Sequence, residues 1–272
     1  MAETRVYFDT DVDISATEGA FVPFPPWLEF DGALFAAHQI GSGYAAFSPD
    51  DEAEAYGPLY DHSGQGHHLN SLNDLAAGLG QWGVTAAVVG VEANATYTLL
   101  QIWDAVVAAG QTGFSIIAAA NVPAAAKTVA LVRSSTDVAD PNAGLTIAPQ
   151  SQDMRVQRTG GGAAQTGSIN NLTTELGNNA YYCGVYTLAS GYGWSKRNGA
   201  ATKAVDVPSN VAVTAMNANV PIEFGDEAGT GTGSTVLSGF CIILRPITQA
   251  EFEAAVENNL EYHAAIGSGL DA

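Results

Sequence analysis

The chain has 272 residues, with 9 basic against 28 acidic side chains and a formal net charge of −19. A nucleic-acid interface needs a cationic footprint that displaces counterions from phosphates, and an anionic membrane surface repels this charge, so both are excluded as partners. Charged residues make up only 14% of the chain, against roughly 25% in an ordinary globular protein; the polar surface must come from Gly, Ser, Thr, Asn and Gln, a palette of turns and strands.

The opening MAETRVYFDTDVD has neither a basic n-region nor an apolar h-region, which predicts synthesis in the cytoplasm without a classical secretion signal. Arg5–Phe8 reads as a strand. Asp9, Asp11 and Asp13 alternate, so an extended backbone puts their carboxylates on one face. Such a trio can hold Ca²⁺, although Ile14 stands where an EF-hand loop needs glycine. The same pattern also serves as an acidic outer face that discourages edge pairing. FVPFPPWLEF follows, where Pro23, Pro25 and Pro26 remove ladder donors and fix φ, so a regular central strand is not expected. The acidic SPDDEAEAYGP then leads to Gly57. We read residues 1–56 as an extended N-terminal arm that packs against this chain or a neighbour, a candidate for anchoring or oligomerisation, and 57–272 as a β-sandwich with a C-terminal helix.

Residues 60–71 read YDHSGQGHHLNS. The Asp61 carboxylate can accept backbone N–H bonds two or three residues on, Ser63 can do so more weakly, and Gly64 and Gly66 supply φ > 0. His67 and His68 point to opposite faces of an extended chain and cannot easily share a metal. The stretch reads as a structural turn rather than a metal or catalytic site.

Beyond it, strands are predicted at Gly83–Val91, Phe114–Ala120, Thr128–Arg133, Leu145–Ala148, Met154–Gln157, Ala180–Leu188, Ala204–Val207, Val220–Phe224 and Gly239–Leu244. Runs as short as Val84–Val91 cannot span a bilayer. Strands at this spacing, with turn residues between them, argue for an all-β, antiparallel sandwich. Leu99–Ala109 also reads as a helix. The C-terminal ITQAEFEAAVENNLEYHAAIG is a second helix: Thr248 and Glu251 form a capping box, Phe252, Val256 and Leu260 recur at spacing four, and Gly267 is a stop signal. Cys183 and Cys241 lie in apolar strand-like runs and read as buried free thiols; a disulfide would need them on neighbouring strands.

SGYGWSKRNG is the best binding candidate. Tyr192, Trp194, Lys196, Arg197 and Asn198 lie together between glycines and include two of the nine basic residues. Aromatic faces ringed by polar groups hold sugars, so such a loop could grip an acidic glycan. The competing reading is a hairpin whose aromatics close the edge of the core. Catalytic patterns are weak. Retaining glycosidases need paired carboxylates about 5 Å apart, and the nearest approach, Glu223 with Asp226 and Glu227, falls at a strand end and loop. Glycines 160–162 lack the helix start and lysine of a phosphate loop.

Asp61-His62-Ser63-Gly64-Gln65-Gly66 resembles the D-x-S-G-x-G signature of the concanavalin A-like lectin and laminin G-like jelly-roll family. GQTGFSIIAAANV, TVALVRSS, GLTIAPQ, DMRVQRTG, NNAYYCGVYTL, PIEFGDE and VLSGFCIILRPITQAEF follow the order of that family's strands and short terminal helix, over roughly residues 57–262. The resemblance implies a non-enzymatic lectin-like jelly roll without a cofactor, Ca²⁺ aside, as found in spike or fibre proteins of tailed phages and gene-transfer particles. Its partner would be host cell-surface polysaccharide, and its place the surface of a virion or phage-like particle, among other particle structural proteins. The alternative is a decoration protein of a capsid or tail with no glycan ligand. A single sugar site of about 1 mM is worth only about −4 kcal/mol. Avidity adds roughly 10² to 10⁴, so a homo-oligomer or multicopy array is expected.

Overall fold

The computed structural model describes residues 33–38, 69–71, 75–78, 81–84, 91–93, 99–124, 129–134, 143–160, 163–187, 191–207, 222–226 and 235–266. Asp61, Ser63, Gly64, Gly66, the aspartates at 9, 11 and 13, and the Arg5–Phe8 strand lie outside the described residues.

In chain order the strands are β1 (Ala33–His38), β2 (Leu69–Ser71), β3 (Leu75–Gly78), β4 (Gln81–Val84), β5 (Val91–Ala93), β6 (Gly113–Asn121), β7 (Val129–Ser134), β8 (Ala143–Ala148), β9 (Asp153–Gly160), β10 (Ala163–Asn170), β11 (Asn179–Thr187), β12 (Gly191–Arg197), β13 (Lys203–Val207), β14 (Ile222–Asp226) and β15 (Thr235–Ile243). Helix α1 (Leu99–Ala108) precedes β6, and helix α2 (Gln249–Ile266) follows β15. The larger sheet runs β13-β12-β11-β6-β15-β4-β3; the smaller runs β10-β9-β8-β7-β14. Every described pairing in the two is antiparallel. This is the all-β sandwich with a C-terminal helix that the strand spacing predicts.

β6 and β11 are buried along almost their whole length, on both faces. That is why GFSIIAAAN and NAYYCGVYT read as continuous apolar runs instead of alternating ones. One face meets the smaller sheet: a Cβ on Gly193 would come within 2.7 Å of Val156 Cγ2 and 3.1 Å of Met154 Cε. Glycine at this position lets β12 approach β9 closely. The other face is covered by α2. Ile117, Ala119, Tyr181, Cys183, Val185, Trp194, Cys241 and Ile243 from the sheet pack with Phe252, Ala255, Val256 and Leu260 of the helix. Large and small residues alternate across the strands: Tyr181 pairs with Ala119 and Tyr182 with Ala118, so each ring crosses a short side chain.

The N-terminus of α2 forms as its sequence dictates. Thr248 N–H donates to Glu251 Oε2 (2.7 Å), and Glu251 N–H donates to Thr248 Oγ1 (3.3 Å). Arg245 Nη1 adds an ion pair to Glu251 Oε1 at 2.8 Å. Partial burial would raise the Glu251 pKa, but the bonds from Thr248 and Arg245 outweigh it and hold the carboxyl below its usual range. Thr248→Ala is expected to cost about 1 kcal/mol of stability, as cap losses do; urea unfolding followed by far-UV circular dichroism measures it.

β1 pairs with β15 from Ala33↔Ile243 to His38↔Gly239, so residues 33–38 of the N-terminal segment pack against this chain and extend the larger sheet. The prolines end at Pro26, and ALFAAH carries none to block pairing. The cysteines are free and buried. Cys183 and Cys241 both pair with Ile117, on opposite sides of β6. Two strand spacings separate them by about 9–10 Å, beyond the roughly 7 Å a disulfide can bridge.

Candidate functional site

The stretch singled out for binding is the strand β12, with its hairpin turn, instead of a loop. A strand sends successive side chains to opposite faces, and this divides the candidate residues. Tyr192, Trp194 and Lys196 face α2. Tyr192 OH donates to Ile247 O at 3.3 Å. Trp194 is 7% exposed. Its ring stacks on Phe252 with centroids 5.9 Å apart and meets Tyr192 edge-on at 5.2 Å. Both neighbours are core contacts, so Trp194 offers no open face to a sugar. Lys196 Nζ lies 3.8 Å from Glu257 Oε1 on the helix. Thr202, just past the turn, donates to Glu253 Oε1 at 2.5 Å and strengthens the same seam. The hydrogen bonds from Thr202 and Gln249 outweigh the opposing effect of burial and hold the Glu253 carboxyl below its usual range. The aromatics therefore close the core edge, the competing reading of this stretch.

Arg197 points the other way. Its Nη1 donates to Thr174 O at 3.3 Å, in the turn between β10 and β11. Lys203, across the hairpin, reaches the same turn: Nζ donates to Asn171 O at 2.7 Å and pairs with Glu175 Oε2 at 2.7 Å. Asn198 sits exposed at the hairpin tip. Of the five candidates, only Arg197 and Asn198 thus stand beside one solvent-facing rim.

Sequence reasoning missed the turn that completes this rim. Residues 171–178 read NLTTELGN, a stretch with no alternation or helical period, and only the fold places it against β12 and β13. Asn171 adopts φ 74°, which asparagine tolerates better than most residues. Thr173 Oγ1 donates to Asn171 Oδ1 at 2.8 Å. Asn171, Thr173 and Thr174 are exposed and Asn178 half-buried. Amides and hydroxyls thus flank two cations.

Beneath the rim lies a buried polar group of residues. Glu175, fully buried, takes Lys203 and Thr174 Oγ1 (2.8 Å) on its Oε2. Tyr182 pairs with Ser195, and Ser195 with Lys203, so antiparallel pairing sets all three on the face that Arg197 shares. Burial, and then the Glu175 charge, push the Tyr182 phenol far above its usual range. It stays a neutral hydroxyl. Glu175 Oε1, Tyr182 OH, Ser195 Oγ and Arg197 Nε have no hydrogen-bond partner among the described residues. The group anchors the rim by charge from below. Among the described residues no cluster of three or more His, Cys, Asp or Glu could hold a metal ion.

No family model and no curated protein matches the sequence. Solved structures do match in shape. A botulinum neurotoxin type C chain, from work on its dependence on two ganglioside molecules for cell entry, aligns at TM-score 0.53 and 10% identity, over 86% of this chain and 51% of that one. The receptor-binding domain of the botulinum neurotoxin C/D mosaic serotype aligns at 0.54 and 9%, over 86% and 51%. A Trypanosoma rangeli sialidase in complex with sialic acid aligns at 0.52 and 12%, over 86% and 33%. This chain spans about half the length of those toxin chains and a third of the sialidase. At such identities the likeness is one of fold, and the fold it shares with them is the β-sandwich.

Proposed function

We propose that this protein is a carbohydrate-binding module that holds host cell-surface polysaccharide without cleaving it, in many copies, as a spike or fibre on a virion or phage-like particle. The observation that carries the binding reading is the rim where the 171–178 turn meets the β12–β13 hairpin. Asn171, Thr173 and Asn198 present amide and hydroxyl groups beside Arg197 and Lys203, on a chain that is otherwise strongly acidic. Amides read sugar hydroxyls and a guanidinium reads a carboxylate, so the rim suits an acidic glycan. The fold neighbours support the same direction, one being described with gangliosides and another with sialic acid. The particle setting rests on the family resemblance of the strand series. The weak affinity of a single site adds the need for many copies.

The test is binding of the purified protein to encapsulated and capsule-free host cells and to sialylated glycans, with and without EDTA. Capsule-dependent or sialoglycan binding is expected. Asn171→Ala and Asn198→Ala should each weaken it about tenfold, the worth of one or two hydrogen bonds. Loss of binding with EDTA would add Ca²⁺ to the site. No binding by an oligomeric preparation would defeat this reading. Trp194's burial, which removes the aromatic platform, would then favour the decoration role with no glycan ligand.

A further inference from the structure

We propose that Asn198 is a site of spontaneous deamidation, which places a new negative charge on the rim as the protein ages. Asn198-Gly199 is the sole Asn-Gly step in the chain. Glycine has no side chain to hinder its own nitrogen, so this step is the most open to attack. The structure adds three features. Asn198 and Gly199 are both exposed at the hairpin tip. A Cβ on Gly199 would meet nothing within 4 Å among the described residues. The turn is closed by Ala200 N–H donating to Arg197 O at 3.0 Å, while Gly199 N–H donates to none of the described residues. The attacking nitrogen therefore gives up no hydrogen bond to a described residue. Other asparagines are less open: Asn179 and Asn259 are buried, and Asn171 and Asn178 precede Leu172 and Asn179.

The chemistry needs water alone. Gly199 N loses its proton to solvent and attacks Asn198 Cγ. An N–Cγ bond forms, the Cγ–Nδ2 bond breaks, and the amide nitrogen takes up a proton and leaves as ammonia. Water then opens the succinimide at either carbonyl, giving aspartate or isoaspartate, each carrying a carboxylate. That charge appears next to Arg197 in sequence and on the same rim as Lys203. The modification stands apart from the glycan reading. Its consequence rests on that reading: an acidic glycan would meet a like charge and bind up to about fivefold more weakly, the range of a single solvent-exposed charge interaction.

The experiment incubates the folded full chain at 37 °C at neutral and alkaline pH and follows the tryptic peptide Asn198–Lys203 by mass spectrometry, with isoaspartate detection. A first-order rise of the acidic form is expected, faster at alkaline pH, ahead of all other asparagine peptides and absent from that position in Asn198→Gln. If the peptide stays unmodified, or is no faster than the Asn171 and Asn178 positions of the 159–196 peptide, the proposal is overturned. Sialoglycan binding of fresh, aged and Asn198→Asp protein is measured in parallel. Deamidation without any glycan binding would sink the binding reading and leave the modification standing. Binding without deamidation would do the reverse.

Discussion

Trp194→Ala is expected to lower stability by about 3–5 kcal/mol, the range for deleting a large aromatic from a packed core. The ring fills the seam between β12 and α2, with Phe252 stacked on it and Tyr192 at its edge. Its neighbours cannot simply close the gap. Tyr192 is tied to the Ile247 carbonyl, and α2 is held to the sheet by the Tyr181 OH bond to Asn259 Oδ1 (2.8 Å) as well as by the Lys196 and Thr202 contacts. Phe252→Ala should cost a similar amount. The double variant should lose less than the sum, by about 0.5–1.5 kcal/mol, because the two rings act partly through each other. Chemical denaturation of the four proteins measures the cycle. A loss below about 1 kcal/mol for Trp194→Ala would mean that the ring lies in solvent and would return it to the list of sugar platforms. The result also limits how Trp194 can be used: a destabilised Trp194→Ala protein can lose glycan binding whether or not the ring touches a glycan. Rim residues such as Asn171 and Asn198 are the informative ones.

The seam shows what sequence could tell and what it could not. Helix α2 was fully legible. A capping box, a stripe at spacing four and a terminal glycine are local signals, and local signals survive without knowledge of the partner. β6 and β11 were legible too, since burial on both faces leaves an apolar run. The fate of GYGWSKR was not. Glycine flanks suggested a loop, and with that choice Lys196 and Arg197 looked like neighbours. Read as a strand, the period of two sends them to opposite faces, one to Glu257 and the other to Thr174. β1 was masked by the nearby prolines, whose influence does not reach ALFAAH. Glu175 was illegible for a different reason. An acid in a turn rich in Thr and Asn reads as solvated, and only the pairing of β12 with β13 brings a lysine over it.

That buried carboxylate leads to an asymmetry between its two partners. Glu175 has no exposed side-chain surface, whereas Lys203 keeps 29% of its own. Removing the lysine strands a charge that water cannot reach; removing the carboxylate leaves an ammonium that solvent and the Asn171 carbonyl still satisfy. Lys203→Met is therefore expected to cost about 3–5 kcal/mol, the penalty for breaking a buried pair from the side that leaves the ion orphaned. Glu175→Gln should cost only about 1–2 kcal/mol, since the amide oxygen can still accept from Thr174 Oγ1 and Lys203. The combined Glu175→Gln, Lys203→Met protein should recover part of the lysine loss, because the unpaired charge is gone. Thermal and urea unfolding at neutral pH resolve all three values. Equal costs for the two single changes would mean that water reaches Glu175. The turn 171–178 would then be only lightly attached to the hairpin, and the rim would lose the support from below that sets Asn171 against Asn198. The predicted order matters for function, because a rim fixed by one buried charge pair presents its amides already oriented. A glycan then meets them without the entropic cost of ordering two loops.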